Sequence, residues 1–117
     1  MDTHTLQEEL EYYTGTENYY QHILGINYTD GVRFLANETG SHWLIDLITS
    51  YQAIKEIRQL DFQVYKLIVN KDKTAQIEVS DGNYNVIRTE EIPYTDFPLD
   101  EITLWYTGGV IVLPSEY

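Results

Sequence analysis

The spacing of apolar residues changes character once along the chain, near residue 60, from helical to strand-like. Leu6, Leu10 and Tyr13 recur at i, i+4 and i+7, one face of a helix. Thr5 and Glu8 have the spacing of a capping box at its start, and Gly15 is placed to stop it. Tyr19 to Leu24 is aromatic and β-branched and predicts a short edge strand that Gly25 ends. Thr29 or Asp30 caps a second helix carrying Val32, Phe34, Leu35 and Ala36, with a break over Asn37 to Gly40. Ser41 caps the clearest helix, His42 to Arg58, in which Leu44, Leu47, Ile48, Tyr51, Ile54 and Ile57 form a broad stripe. Lys55 and Arg58 near its end complement the helix dipole.

From Phe62 the period is two. Phe62 to Val69 is apolar on both faces (Phe62, Val64 and Ile68 against Tyr65, Leu67 and Val69), which predicts a strand covered on both sides or central in its sheet. Asn70 to Lys73 is a polar turn, and Thr74 to Ser80 alternates with Ala75, Ile77 and Val79 inward. Asp81-Gly82 predicts a tight hairpin, whose primed turn needs positive φ, and Tyr84 to Ile92 returns from it. Pro93 and Pro98 bound a loop that ends at Asp100. Ile102 to Thr107 is a further strand, Gly108-Gly109 turns it, and Val110 to Leu113 closes the chain. Helices that precede the strands imply an α+β fold, with N-terminal helices packed on one face of an antiparallel meander of about five strands. No linker interrupts the pattern, so residues 1–117 read as one domain.

Composition adds exclusions. The absence of cysteine removes disulfides, thiolate metal sites and cysteine nucleophiles. Met1 to Thr5 shows no signal-peptide pattern, and no apolar run approaches the roughly 20 residues of a membrane span, so a cytoplasmic protein is expected. Charge changes the picture more. The net charge of −12 comes wholly from the two ends: residues 1–32 and 89–117 hold six acids each and no Lys or Arg, while residues 33–88 hold seven of each sign. Lys and Arg make the contacts to phosphate, so direct binding to nucleic acid or to a membrane is not expected. The basic grouping Lys66, Lys71, Lys73 and Arg88 is offset by Asp72, Glu78 and Asp81. If the ends meet they make one negative surface suited to a basic protein; the plainer role of the acidity is solubility.

Eleven tyrosines crowd the same acidic ends. Tyrosine buries a large area while keeping a polar tip, which suits both sheet rims and interfaces. The candidate interaction residues are Tyr12, Tyr13, Glu17, Tyr19, Tyr20, Tyr94, Asp96, Glu101, Glu116 and Tyr117.

Several segments taken together are familiar: Tyr13-Thr14-Gly15-Thr16-Glu17, Tyr28-Thr29-Asp30-Gly31, His42-Trp43-Leu44-Ile45-Asp46, Asp81-Gly82-Asn83, Tyr94-Thr95-Asp96-Phe97-Pro98-Leu99 and Leu113-Pro114-Ser115-Glu116-Tyr117. In this combination the chain resembles, over about Tyr13 to Tyr117, a family of small proteins of unknown function in bacteria, phages and plasmids. The resemblance implies a complete family member carried on mobile elements. It implies no activity, cofactor or catalytic residue.

Two constellations could carry chemistry. His42 and Asp46 lie four apart on one helical face and, with His22 or Asp96, could hold a metal through imidazole and carboxylate. Asp30 and Asp96, each in a Tyr-Thr-Asp segment, could work as an acid/base pair if they met in a cleft, although capping and turn roles suit both. Ser115 lacks the glycine frame of a nucleophile elbow, and no phosphate-binding glycine loop occurs. The favoured reading is a non-enzymatic, acidic, Tyr-rich interaction module without a cofactor, in its concrete form a mobile-element antagonist that covers the nucleic-acid-binding surface of a basic host protein. The alternative is a small metal-dependent or acid/base enzyme using His42, Asp46, Asp30 and Asp96. A homodimer through an exposed last strand, Val110 to Leu113, is a third expectation.

Overall fold

The computed structural model describes residues 2–22 and 25–117. Helix α1 (Thr3–Glu11) starts at Asp2, whose carboxylate accepts from the Thr5 amide at 2.8 Å. This corrects the expected Thr5–Glu8 capping box: Asp2 stands three residues before Thr5, and its carboxylate already satisfies the amide there. The helix ends at Glu11, ahead of Gly15.

Helix α2 (Asp30–Thr39) is capped by Thr29, whose hydroxyl oxygen accepts from the Val32 amide at 3.4 Å. It ends at Gly40, which adopts the left-handed region at φ 66. The break therefore falls after Thr39 rather than from Asn37.

The expected long helix is two pieces, α3 (His42–Tyr51) and α4 (Lys55–Arg58). The amides of Gln52, Ala53 and Ile54 bond only three residues back, and Ile54 is extended (φ −87, ψ 118). The bend lets Ile57 reach the core and leaves the Gln52 side chain beside the sheet. Ser41 makes no side-chain cap for α3; its buried hydroxyl accepts from Thr39 at 2.6 Å instead.

Among the described residues seven strands form one sheet: β1 (Tyr19–Gln21), β2 (Asn27–Thr29), β3 (Phe62–Val69), β4 (Ala75–Asp81), β5 (Val86–Ile92), β6 (Glu101–Thr107) and β7 (Val110–Val112). The Ile23 and Leu24 part of the first predicted strand lies outside the described residues. The spatial order is β1-β2-β7-β6-β3-β4-β5, antiparallel throughout except for the parallel pair β2 and β7.

A simple five-strand meander is thus not what forms. Strands β3, β4 and β5 follow one another, and the Pro93–Asp100 connection then returns β6 to the other side of β3, a Greek-key order. The physical reason is β3 itself. Its two-sided apolar pattern suits a central strand, and β6 and β4 pair along its length. The last strand is also not an edge, because β2 and β6 flank β7; the free edges are β1 and β5.

The β4–β5 turn is wider than a two-residue hairpin. The Asp81 carboxylate accepts from the Asn83 amide (2.8 Å), the Asn85 amide (3.0 Å) and the Asn85 side-chain nitrogen (2.9 Å). Positive φ falls on Tyr84, at 66, and not on Gly82. Asp81 thus replaces with its own oxygens the bonds a primed turn would supply.

The helices pack on one face of the sheet. Tyr65 and Leu67 of β3, Ala75, Ile77 and Val79 of β4, Leu104 of β6 and Ile111 of β7 point to that side. They form one core with Leu6, Leu35, Leu44, Ile48 and Ile57 of the helices.

Candidate functional site

Cross-strand partners share a face of a sheet, so the register sorts every strand residue. On the helix-covered face, Gln63 of β3 is fully buried. Its amide donates to Gln52 at 3.0 Å and to the Ile57 carbonyl at 2.9 Å, and its oxygen accepts from Gln52 at 2.8 Å and from the Tyr65 hydroxyl. Burial pushes the Tyr65 hydroxyl well above its usual pKa, as it does for Tyr51, where the Glu90 carboxylate adds to the effect. Both stay protonated donors. The ring of Tyr51 stacks on Tyr65 at 6.1 Å, and its hydroxyl donates to Glu90 at 2.7 Å. Among the described residues no buried side-chain nitrogen or oxygen lacks a partner. This polar network is closed on itself.

The opposite face carries Phe62, Val64 and Lys66 of β3, Glu78 and Ser80 of β4, Val86 of β5, and Thr103 and Trp105 of β6. Among the described residues none of α1 to α4 lines the middle of this face; α1 and the turn after β7 border it at the β6 side, beside Glu101 and Thr103. Phe62, Trp105 and Tyr117 form a triangle of rings, with centroids 5.2, 5.6 and 5.4 Å apart and tilted or edge-on planes. Tyr117 reaches it from a 3-10 turn (Pro114–Glu116) at the end of the chain and stays largely exposed. Beside the triangle lies a concave cleft of about 510 Å³, floored by Val64, Lys66, Glu78 and Ser80 and walled by Tyr84 and Val86. Gly82 lies close against Phe62, where an added Cβ would stand 3.3 Å from the ring. Glu78, Glu91 and Glu101 also face this side, while Lys66 is the cation near them, 3.7 Å from Glu101.

The acidic ends meet in part, on the α1–α2 side of the molecule, where Glu116 joins Glu9 and Asp30, whereas Glu90 and Glu91 lie on β5 at the other edge of the sheet. Burial raises the pKa of Tyr13, and the negative charges of Asp30, Glu9, Glu116 and Glu38 around it raise it further. The rings of Tyr13 and Phe34 are 5.3 Å apart, and Arg33 sits 4.3 Å over the ring of Tyr20. Glu11 and Glu101 share the groove between α1 and the end of β6.

Glu116 and Asp30 are engaged internally. Glu116 accepts from the Thr29 hydroxyl (2.6 Å), the Leu113 amide (2.9 Å) and the Gly31 amide (3.1 Å). Asp30 accepts from the Tyr20 hydroxyl (2.9 Å) and the amides of Glu17 and Asn18 (3.2 and 3.3 Å). Burial alone would raise the Asp30 pKa, but these bonds outweigh it and hold it below the usual carboxylate value.

The remaining candidates scatter. Tyr12 and Tyr19 are exposed at the α1–β1 end. Tyr94 and Asp96 sit in the β5–β6 connection, where the Thr95 amide bonds the Lys73 carbonyl at 2.9 Å and the Thr95 hydroxyl accepts from Phe97 at 3.2 Å. The two Tyr-Thr-Asp segments are therefore a helix cap and a turn, and no contact joins Asp30 to Asp96 among the described residues. Of the metal candidates, His22 and Asp46 meet at 2.7 Å across 24 residues, whereas His42 is exposed and joins neither. Among the described residues no three His, Asp or Glu converge as a metal would need.

Phe62, Val64, Tyr84, Val86 and Trp105 were absent from the sequence-derived candidates. The signal for them was the second apolar face of β3, whose Phe62 and Val64 have Trp105 beside them in register.

The chain belongs to a family of unknown function (DUF6876), which it matches over residues 4–117. No curated protein and no solved structure matches it. No helix among the described residues is long and apolar enough to cross a membrane.

Proposed function

We propose that this family member is a protein-interaction module that docks a basic protein on the helix-free face of its sheet. The observation that carries this reading is the triangle of Phe62, Trp105 and Tyr117 beside an apolar-walled cleft. Aromatic rings gathered on the solvent side of a rigid sheet supply contact area that the fold itself does not use. A cleft of about 510 Å³ is large enough to seat an anchor side chain and its neighbours. Glu78 and Asp81 in its lining, with Glu91 and Glu101 farther along the same face, favour Lys or Arg next to that anchor, and the net charge of −12 steers such a partner inward. In its specific form the module is a mobile-element antagonist. Its carboxylates occupy the lysines and arginines with which a host protein would otherwise hold phosphate.

Affinity capture from a bacterial lysate tests the reading when wild type is run beside Trp105→Ala and Val64→Lys, each first shown to melt cooperatively. A basic protein held by wild type, lost from both variants and released by salt is the expected result. The same proteins on all three baits would sink it.

A further inference from the structure

We infer that β5 pairs with β5 of a second copy of this chain, antiparallel and centred on Thr89. This does not rest on the partner proposed above, because it is argued from an edge of the sheet, although the two share Tyr84 and Val86, the wall of the cleft on the Phe62 face. The two free edges differ in length: β1 has three residues and β5 has seven. A long unpaired edge is a template for another strand; proline or lysine commonly blocks it and β5 contains neither, while its bulge at Ile87 leaves residues 88–92 in unbroken register and its inward charges Arg88 and Glu90 are of opposite sign.

The exposed apolar surface gathers at this edge. Among the described residues the exposed large aliphatic side chains are Val86 and Ile87, at 54% and 41%, both on β5 and next to Tyr84 at 94%. Ile87 is the extra residue where the β4–β5 register shifts.

Charge permits the approach here. The chain carries −12, yet residues 62–92, which make β3 to β5, hold five acids and four bases. Helix α2, beside the acidic cluster around Tyr13, packs on β1, β2 and β7, four to six strand spacings from β5, or about 19–29 Å. At that distance two copies joined at β5 meet through nearly neutral halves, with the clusters beyond a Debye length of about 8 Å.

The register follows from the side chains. A two-fold axis through Thr89 sets Arg88 of each copy opposite Glu90 of the other, twice over. Both residues point to the helix-covered side, opposite Val79 and Ile77 of β4. They stand 3.9 Å apart within one chain and keep 47% and 40% of their side-chain surface open, so each can serve the second copy as well. Opposite charges facing across neighbouring strands stabilise a pairing, and like charges there destabilise it.

Sedimentation equilibrium of the full chain decides the matter, with wild type, Arg88→Glu, Glu90→Arg and an equimolar mixture of the two variants. The expected wild-type mass is twice that of the 13.7 kDa chain. Each variant, which opposes like charges at both contacts, weakens self-association by about tenfold or more. Mixing them restores the dimer, because both acidic side chains of one variant then face both basic side chains of the other. A wild-type chain that stays monomeric, variants that dimerise as well as wild type, or a mixture that stays monomeric would each overturn the inference.

Discussion

Alternate residues of β3 stand in two different surroundings. Gln63, Tyr65 and Leu67 are at most 1% exposed, while Phe62, Val64, Lys66 and Ile68 are half-buried on the other side. The sealed side contains buried polar groups, and among the described residues each is answered within the chain. The open side contains the aromatic triangle, of which Tyr117 is largely exposed. A polar cluster deep in a fold invites a catalytic reading, yet here it ties α3, α4 and β3 together. The surface that lacks an internal explanation is apolar. For this molecule function is better sought where composition conflicts with exposure than where titratable side chains gather.

The largest test of that contrast is a truncation on each side. Leu67→Ala removes a fully buried side chain and is expected to cost about 2–5 kcal/mol. Val64→Ala, three residues away but only half-buried, is expected to cost less than about 1 kcal/mol. Urea unfolding at matched m-values reads both. Equal losses would make the open face a second core and remove the comparison. Next in size is Gln63→Ala, which leaves the Ile57 carbonyl and the Gln52 amide without their buried partner. It is expected to cost about 1–3 kcal/mol. Gln63→Glu should do no better, since it exchanges a donor for a charge in the same sealed place.

What the sequence revealed and what it hid divide along the same line. The inward set Ala75, Ile77 and Val79 was readable because an alternating strand declares its own faces. The Thr29 cap was readable for the same local reason. The Gln52–Gln63 pair and the His22–Asp46 pair were not, because they join residues 11 and 24 apart that share no periodic signal. The parallel β2–β7 pairing was hidden too: strands of three residues carry almost no period. For β3 the pattern showed two apolar faces but not which one the helices would take. That choice depends on the register with β6, which aligns Val64 with Trp105 and Tyr65 with Leu104. The tyrosine-rich ends drew notice through composition, yet several of their members are structural, as Tyr20 and Glu116 show.

Glu116 offers a test of intermediate size. Its carboxylate sits at the N-terminus of α2, where the helix dipole favours negative charge, and it joins the end of the chain to Thr29 and Gly31. Glu116→Gln is expected to lose about 1–2 kcal/mol, read by thermal or urea unfolding. Gly31→Ala tests the same contact by volume. A Cβ there would stand 2.7 Å from Leu113 Cδ1 and 2.8 Å from the Glu116 carboxyl carbon, so either the buried leucine or the latch must move. Both variants should also disturb Tyr117, the one member of the aromatic triangle supplied by this turn. If tryptophan emission from Trp105 is unchanged in both, the triangle does not depend on the latch, and the open face is more self-sufficient than the contacts suggest.

The smallest expected effect separates the β4–β5 turn from the core by pH. Asp81, at the turn that carries the Tyr84 wall of the cleft, is held below its ordinary value of 3.8 by bonds from the Asn85 side chain and then from the Asn85 and Asn83 amides. A folded-state pKa below the unfolded one gives a contribution that is complete above about pH 4 and is lost as pH falls through the folded value. Acidification below pH 4 should therefore loosen the turn, while the Gln52–Gln63–Tyr65 network is built from amides and a hydroxyl and contains no carboxylate. Amide chemical shifts of Asn83 and Asn85 are expected to move with a midpoint under 3.8, with Leu67 unmoved until global unfolding. Asp81→Asn should abolish the step at those two amides. If Leu67 shifts together with them, the turn and the core open as one unit, and the turn is thermodynamically part of the sealed side.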